Sequence, residues 1–144
     1  MEQVHATCVE IDGVGVLIRG DSGSGKSDLS LRLIDAGAHL VADDRVDLRR
    51  VGKGISASAP QEIAGMLEVR GVGITKTQFT ASAAVGLVVE LVSPDVIERL
   101  PEPASCHYME VPLRLVRLSA FEASAPAKVR WTLALLAGRI SAVS

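Results

Sequence analysis

The stretch Gly20-Asp21-Ser22-Gly23-Ser24-Gly25-Lys26-Ser27 constrains the fold more than any other feature of this chain. Three glycines so close together suit a backbone that curls back on itself with its N–H groups converging, because no Cβ stands in the way. What flanks the loop says what it connects. Val14–Arg19 is a nearly continuous apolar run, the pattern of a strand buried on both faces. After the loop, Leu29, Leu33 and Ala36 fall on one helical stripe, Leu31 and Ile34 widen it, and Gly37 stands where a C′ glycine belongs. A glycine-rich hairpin turn with an incidental Lys-Ser is the inert alternative, and the strand before and helix after argue against it.

The loop matches G-x-x-x-x-G-K-[ST] in full. Its backbone N–H groups would wrap a β-phosphate, and the N-terminus of the following helix would add partial positive charge. Lys26 would reach the β- and γ-phosphates while the Ser27 hydroxyl ligates Mg²⁺. Gly20, Asp21, Ser22, Gly23, Ser24, Gly25, Lys26 and Ser27 are therefore expected to bind ATP with Mg²⁺. A phosphate loop states what is held, not what is done with it.

The rest of the chain reads mainly as short strands. Val4–Ile11 is β-rich and ends at the turn dipeptide Asp12-Gly13. Ala38–Ala42 is apolar and ends at Asp43-Asp44. Val46–Val51 and Ile55–Ala59 flank Gly52-Lys53-Gly54 as a hairpin, and Met66–Val69 runs into Gly71-Val72-Gly73. Val85–Val92 suits a buried strand stopped by Ser93-Pro94. A short helix is expected over Asp95–Leu100, and one or two strands over His107–Leu118, broken at Pro112. Pro126–Arg139 reads as a terminal helix, with Val129, Leu133, Leu136 and Ile140 in register. The order predicts one α/β domain over residues 1–144, with a mixed β-sheet and a C-terminal helix.

Composition excludes several classes. The chain is 48% hydrophobic with a mean hydropathy of +0.32, yet no window reaches the ~18 apolar residues of a membrane span. The N-terminus lacks the pattern of a signal peptide, so a cytoplasmic globular domain away from membranes is expected. A net charge of −2 and a pI near 5.9 argue against nucleic acid as a partner. Cys8 and Cys106 have no metal-ligand spacing and read as buried thiols.

Three further features bear on chemistry. Asp43-Asp44 follows a short strand, where successive side chains point to opposite faces, so one Asp could face phosphates and the other a metal or a second residue. Taken alone, such a pair at a strand end is usually a solvated turn. Glu68 and Arg70 lie two apart before a glycine loop, which also suits a cross-strand ion pair. His5 starts the strand that hairpins back onto the strand entering the loop, a course that could carry it to the site.

Together these residues resemble the catalytic domain of HPr kinase/phosphorylase in its short, single-domain form. The resemblance rests on His5, GDSGSGKS at 20–27, LVADD at 40–44 and LEVRGVGI at 67–74, and extends loosely to Ile97-Glu98-Arg99-Leu100. It implies a P-loop fold related to phosphoenolpyruvate carboxykinase. It implies Mg-ATP-dependent phosphorylation of a serine on the HPr-type phosphocarrier protein of the phosphotransferase system, with reversal by inorganic phosphate. Asp43 would be the general base, helped by Asp44 and His5. Asp44 would bind metal or hold His5, Ser27 and Glu68 would support the metal, and Arg70 or Arg99 would offset transition-state charge. A homo-oligomer, with a hexamer as one form, is also implied. Two other readings share the loop: a small-molecule kinase of the carboxykinase-like fold, and a non-catalytic nucleotide sensor that could dispense with the carboxylates.

Overall fold

The computed structural model describes residues 1–143. Its centre is three parallel strands, β3 (Val14–Arg19), β9 (Ala83–Leu91) and β11 (Val111–Leu118), with β9 in the middle. Antiparallel strands extend both sides. β2 (Thr7–Ile11) pairs with β3 and with β4 (His39–Ala42), and β10 (Ala104–Tyr108) pairs with β11. The N-terminal end of β9 also receives β6 (Gly54–Ser58), which carries β5 (Val46–Val51) and then β1 (Glu2–Val4). A separate hairpin, β7 (Met66–Val69) with β8 (Gly73–Lys76), stands beside the main sheet. Helices α1 (Lys26–Asp35) and α2 (Ala125–Leu136) complete an α/β domain with a mixed sheet and a C-terminal helix, the expected class.

Two apolar layers hold this together. On one face Leu29 and Leu33 of α1 and Val129 and Leu133 of α2 pack with Val16, Ile18, Leu87 and Val89 of the sheet. On the other, Leu17 and Val88 meet Leu48, Ile55 and Ala57, brought over by β5 and β6. Gly15 through Ile18 are consequently all buried, as the unbroken apolar run of β3 requires. The Asp12-Gly13 turn has positive φ at both residues, 50° and 82°, which matches the right-handed twist of the strands it joins.

The structure corrects the sequence reading at several boundaries. Val4–Ile11 is two strands, because the Ala6 N–H leaves the ladder to bond the Asp44 carbonyl at 3.2 Å. No helix forms over Asp95–Leu100. A single 3₁₀ turn covers Pro94–Val96, where the Ser93 hydroxyl bonds the Asp95 carboxylate, and Ile97 is already extended. The break between β10 and β11 falls at Met109 and Glu110, with φ of 48° and 68°, rather than at Pro112. β11 meets β9 only from Leu115 onward, so Pro112 has a partner strand on one side alone, an edge setting in which a missing N–H is tolerated. Gly138, at φ 76°, ends the terminal helix before Arg139, and Leu136 is exposed rather than in the apolar stripe.

Cys8 lies fully buried in β2, and burial pushes its thiol up to about 12 from 9.0. The unfolded chain therefore loses this proton first as pH rises. The stability it contributes is complete below pH 9 and is lost as pH climbs toward 12. Denaturant unfolding at pH 8 and pH 10.5 should show a smaller alkaline loss of stability in Cys8→Ala than in the natural chain. Equal losses in both would remove Cys8 as a contributor.

Candidate active site

The phosphate loop leaves the C-terminal end of β3 and opens directly into α1. The strand end is fixed sideways. Glu90 of β9 takes Arg19 at 3.1 Å on one oxygen and Arg117 of β11 at 3.0 Å on the other, and Arg19 also donates to the Tyr108 hydroxyl at 2.9 Å. Gly25 caps α1 in the left-handed region at φ 97° and supplies no capping side chain. The first N–H groups of α1 therefore have no side-chain acceptor, the arrangement that favours an anion. Lys26 is buried, its Nζ donating to the carbonyls of Gly20 at 2.8 Å and Asp21 at 3.1 Å.

The two aspartates have different surroundings. Asp43 is 7% exposed and its Oδ1 accepts from Ser27 Oγ at 2.9 Å and Thr7 Oγ1 at 3.0 Å. Asp44 sits at the centre of a three-residue turn closed by Arg45 N–H to the Asp43 carbonyl at 2.8 Å, with φ 73°. That strained turn swings its carboxylate out of the strand pattern. The carboxylate then meets His5 Nε2 at 3.0 Å, with 68% of the Asp44 side chain and 58% of the His5 side chain exposed.

An open cleft of about 570 Å³ joins these parts. His5, Lys26, Ser27, Asp44, Glu68 and Arg70 all line it. Glu68 and Arg70 are exposed on the β7–β8 hairpin, and among the described residues neither makes an ion pair, so the cross-strand pair does not form. Arg99 is not brought here; it lies exposed beyond the Pro94–Val96 turn.

The resemblance implies Asp43 as the base and Asp44 as a metal ligand or the holder of His5, and the contact with His5 is the one that forms. Asp43 is enclosed between two hydroxyls, whereas Asp44 opens onto the cleft. The turn at Asp44 is the cause, since strand alternation alone cannot say which of two neighbours faces inward. Thr7 is a site residue that sequence reasoning missed. Its only signal was a hydroxyl at the start of a β-rich strand.

The model of the HPr serine kinase C-terminal domain matches residues 1–120. The chain belongs to that family. HPr kinase/phosphorylase of Caldanaerobacter subterraneus subsp. tengcongensis is 40% identical over 102 residues, covering 69% of this chain and 32% of that protein. The Bordetella pertussis HPr kinase/phosphorylase is 39% identical over 127 residues, covering 80% of this chain and 41% of its own length. The chain thus spans between about a third and two fifths of these relatives. The solved structure of the Hpr(Ser) kinase/phosphatase from Coxiella burnetii superposes with a TM-score of 0.85 at 26% identity, covering 96% of this chain and 98% of that one. The match bears out the expected fold, and every loop, His5, aspartate and hairpin residue named above falls within the HPr kinase family match.

The donor set fits a divalent cation only in part. Among the described residues no three His, Cys, Asp or Glu side chains are grouped to hold a metal. Ser27 and Asp43 supply two neighbouring oxygens, which suits Mg²⁺, a cation that usually completes its shell with phosphate oxygens and water. No helix of the described residues is long and apolar enough to cross a membrane.

Proposed function

We propose that residues 1–144 form one catalytic domain that uses Mg-ATP in the cytoplasm to phosphorylate a serine of an HPr-type phosphocarrier protein. The observation that carries this reading is the placement of the exposed Asp44–His5 pair on the same cleft as Lys26 and Ser27. A base at an open rim can meet a serine presented on another protein's surface. A kinase for small metabolites would need its base enclosed with the substrate.

In this reading the loop N–H groups and Lys26 hold the β- and γ-phosphates, and Ser27 with Asp43 would hold Mg²⁺, which neutralises phosphate charge when bound. Asp44 accepts the proton from the serine hydroxyl as its oxygen attacks the γ-phosphorus and the bond to ADP breaks. His5 keeps the Asp44 carboxylate aimed across the cleft. Arg70 offsets negative charge on the transferring group, and Glu68, on the same hairpin and lining the same cleft, would support the cation. Dephosphorylation uses the same groups: inorganic phosphate attacks the phosphoserine phosphorus, the serine oxygen leaves with the proton returned by Asp44, and pyrophosphate is released. A symmetric homo-oligomer, such as a hexamer, belongs to the same proposal.

The test is direct. Incubating the protein with Mg-ATP and an HPr-type phosphocarrier from the same genome is expected to yield one phosphoserine by mass spectrometry. ATP binding without serine modification would instead support a metabolite kinase or a sensor.

A further inference from the structure

Just beyond residue 120, where the family match ends, the chain reaches the cleft again at Phe121. The link from β11 to α2 is tied down to α1. Arg32 donates from Nη1 to the Glu122 carbonyl at 3.1 Å and from Nη2 to the Ala120 carbonyl, while Asp28 holds the same guanidinium at 2.9 Å. Phe121 lies between these two anchored carbonyls, so its backbone is fixed against the helix that grows out of the phosphate loop. Its ring stands over the last loop glycine: a Cβ at position 25 would lie 3.1 Å from both Cε1 and Cζ. Phe121 is nevertheless 70% exposed and lines the cleft beside Ser22 and Gly23.

A phosphate loop accounts for the triphosphate and leaves the base without a partner. Two rings reach the cleft. His5 is engaged by Asp44, whereas Phe121 offers an apolar aromatic surface with no protein group covering most of it. We infer that Phe121 is the stacking platform for the base of the bound nucleoside triphosphate, and that it selects for a broad aromatic surface rather than a particular base edge. The inference rests on the nucleotide reading of the cleft. Every base has a π-face, so stacking tolerates exchange of one purine for another. The ring also packs on Gly25, which makes a purely structural role the alternative to be separated.

The test compares the Mg²⁺ complexes of ATP, GTP and inorganic tripolyphosphate by calorimetry on the full chain. Phe121→Leu keeps an apolar side chain against Gly25 but removes the π-face. It is expected to weaken ATP and GTP alike by about tenfold and to leave tripolyphosphate unchanged, while Phe121→Trp retains nucleotide affinity. A triphosphate carrying 2-aminopurine should lose fluorescence on binding Phe121→Trp, whose indole quenches a stacked base, and keep it on Phe121→Leu. Equal weakening of ATP and tripolyphosphate would mean that the ring merely props the loop, and unchanged ATP affinity in Phe121→Leu with no quenching by Phe121→Trp would place the base elsewhere. Either result overturns the stacking role and leaves the nucleotide reading standing. Failure of the natural chain to bind ATP or tripolyphosphate would remove the nucleotide reading and this inference with it.

Discussion

Replacing Asp44 by Asn is expected to slow phosphoryl transfer to serine by roughly a hundredfold or more, the scale for losing a general base, while Mg-ATP still binds. The substitution is a clean one. Asp44 holds φ 73°, a conformation that Asn tolerates well, so the turn and its Arg45-to-Asp43 bond survive. The amide keeps an oxygen to meet His5, and what disappears is the capacity to take a proton. Asp43→Asn should behave differently. Its carboxylate is enclosed by Ser27 and Thr7, so the expected effect is a higher Mg²⁺ requirement. Single-turnover transfer at several Mg²⁺ concentrations separates the two. Full turnover in Asp44→Asn, together with a loss in Asp43→Asn that added Mg²⁺ does not repair, would return the base role to Asp43.

Lys26→Ala is expected to cost both nucleotide affinity and transfer, with Mg-ATP binding at least about a hundredfold weaker. Two losses combine. The cation that would meet the β- and γ-phosphates is gone, and charged hydrogen bonds are worth roughly 1.5–3 kcal/mol each. The Gly20 and Asp21 carbonyls also lose the ammonium that now draws them together inside the loop. Lys26→Arg should not rescue binding. A planar fork does not fit where a compact ammonium is buried against two carbonyls. Calorimetry with Mg-ATP checks this, and tight binding without Lys26 would contradict the phosphate-loop assignment.

Much of the fold and the loop is legible in the amino-acid sequence. Local patterns fix local structure: the apolar run of β3, the stripe of α1 and the glycines between them leave few alternatives, and all three stand where the sequence puts them. Motif spacing likewise brought His5 and the Asp pair into one site. Other features were not legible because they depend on what a residue meets at long range. Whether His5 continues a strand depends on an Asp44 carbonyl that takes the Ala6 N–H. Whether Pro112 breaks β11 depends on where β9 begins to pair.

The same distinction divides the active site. Gly20 to Ser27 fold into a loop suited to an anion because glycine freedom and a helix N-terminus are properties of adjacent residues, so the eight-residue motif alone specifies that local shape. The roles of Asp43 and Asp44 are not specified in that way. Neighbours in sequence carry the same carboxylate, and their difference arises when Thr7 and Ser27, from two other elements, close on one of them while a left-handed turn sends the other to His5. Phe121 is the extreme case. It follows Lys26 by most of the chain and acquires its place only because Arg32 holds the Ala120 and Glu122 carbonyls beside the loop. Nothing in a one-dimensional pattern encodes that contact, since it is made by packing one crossing segment against the start of a helix.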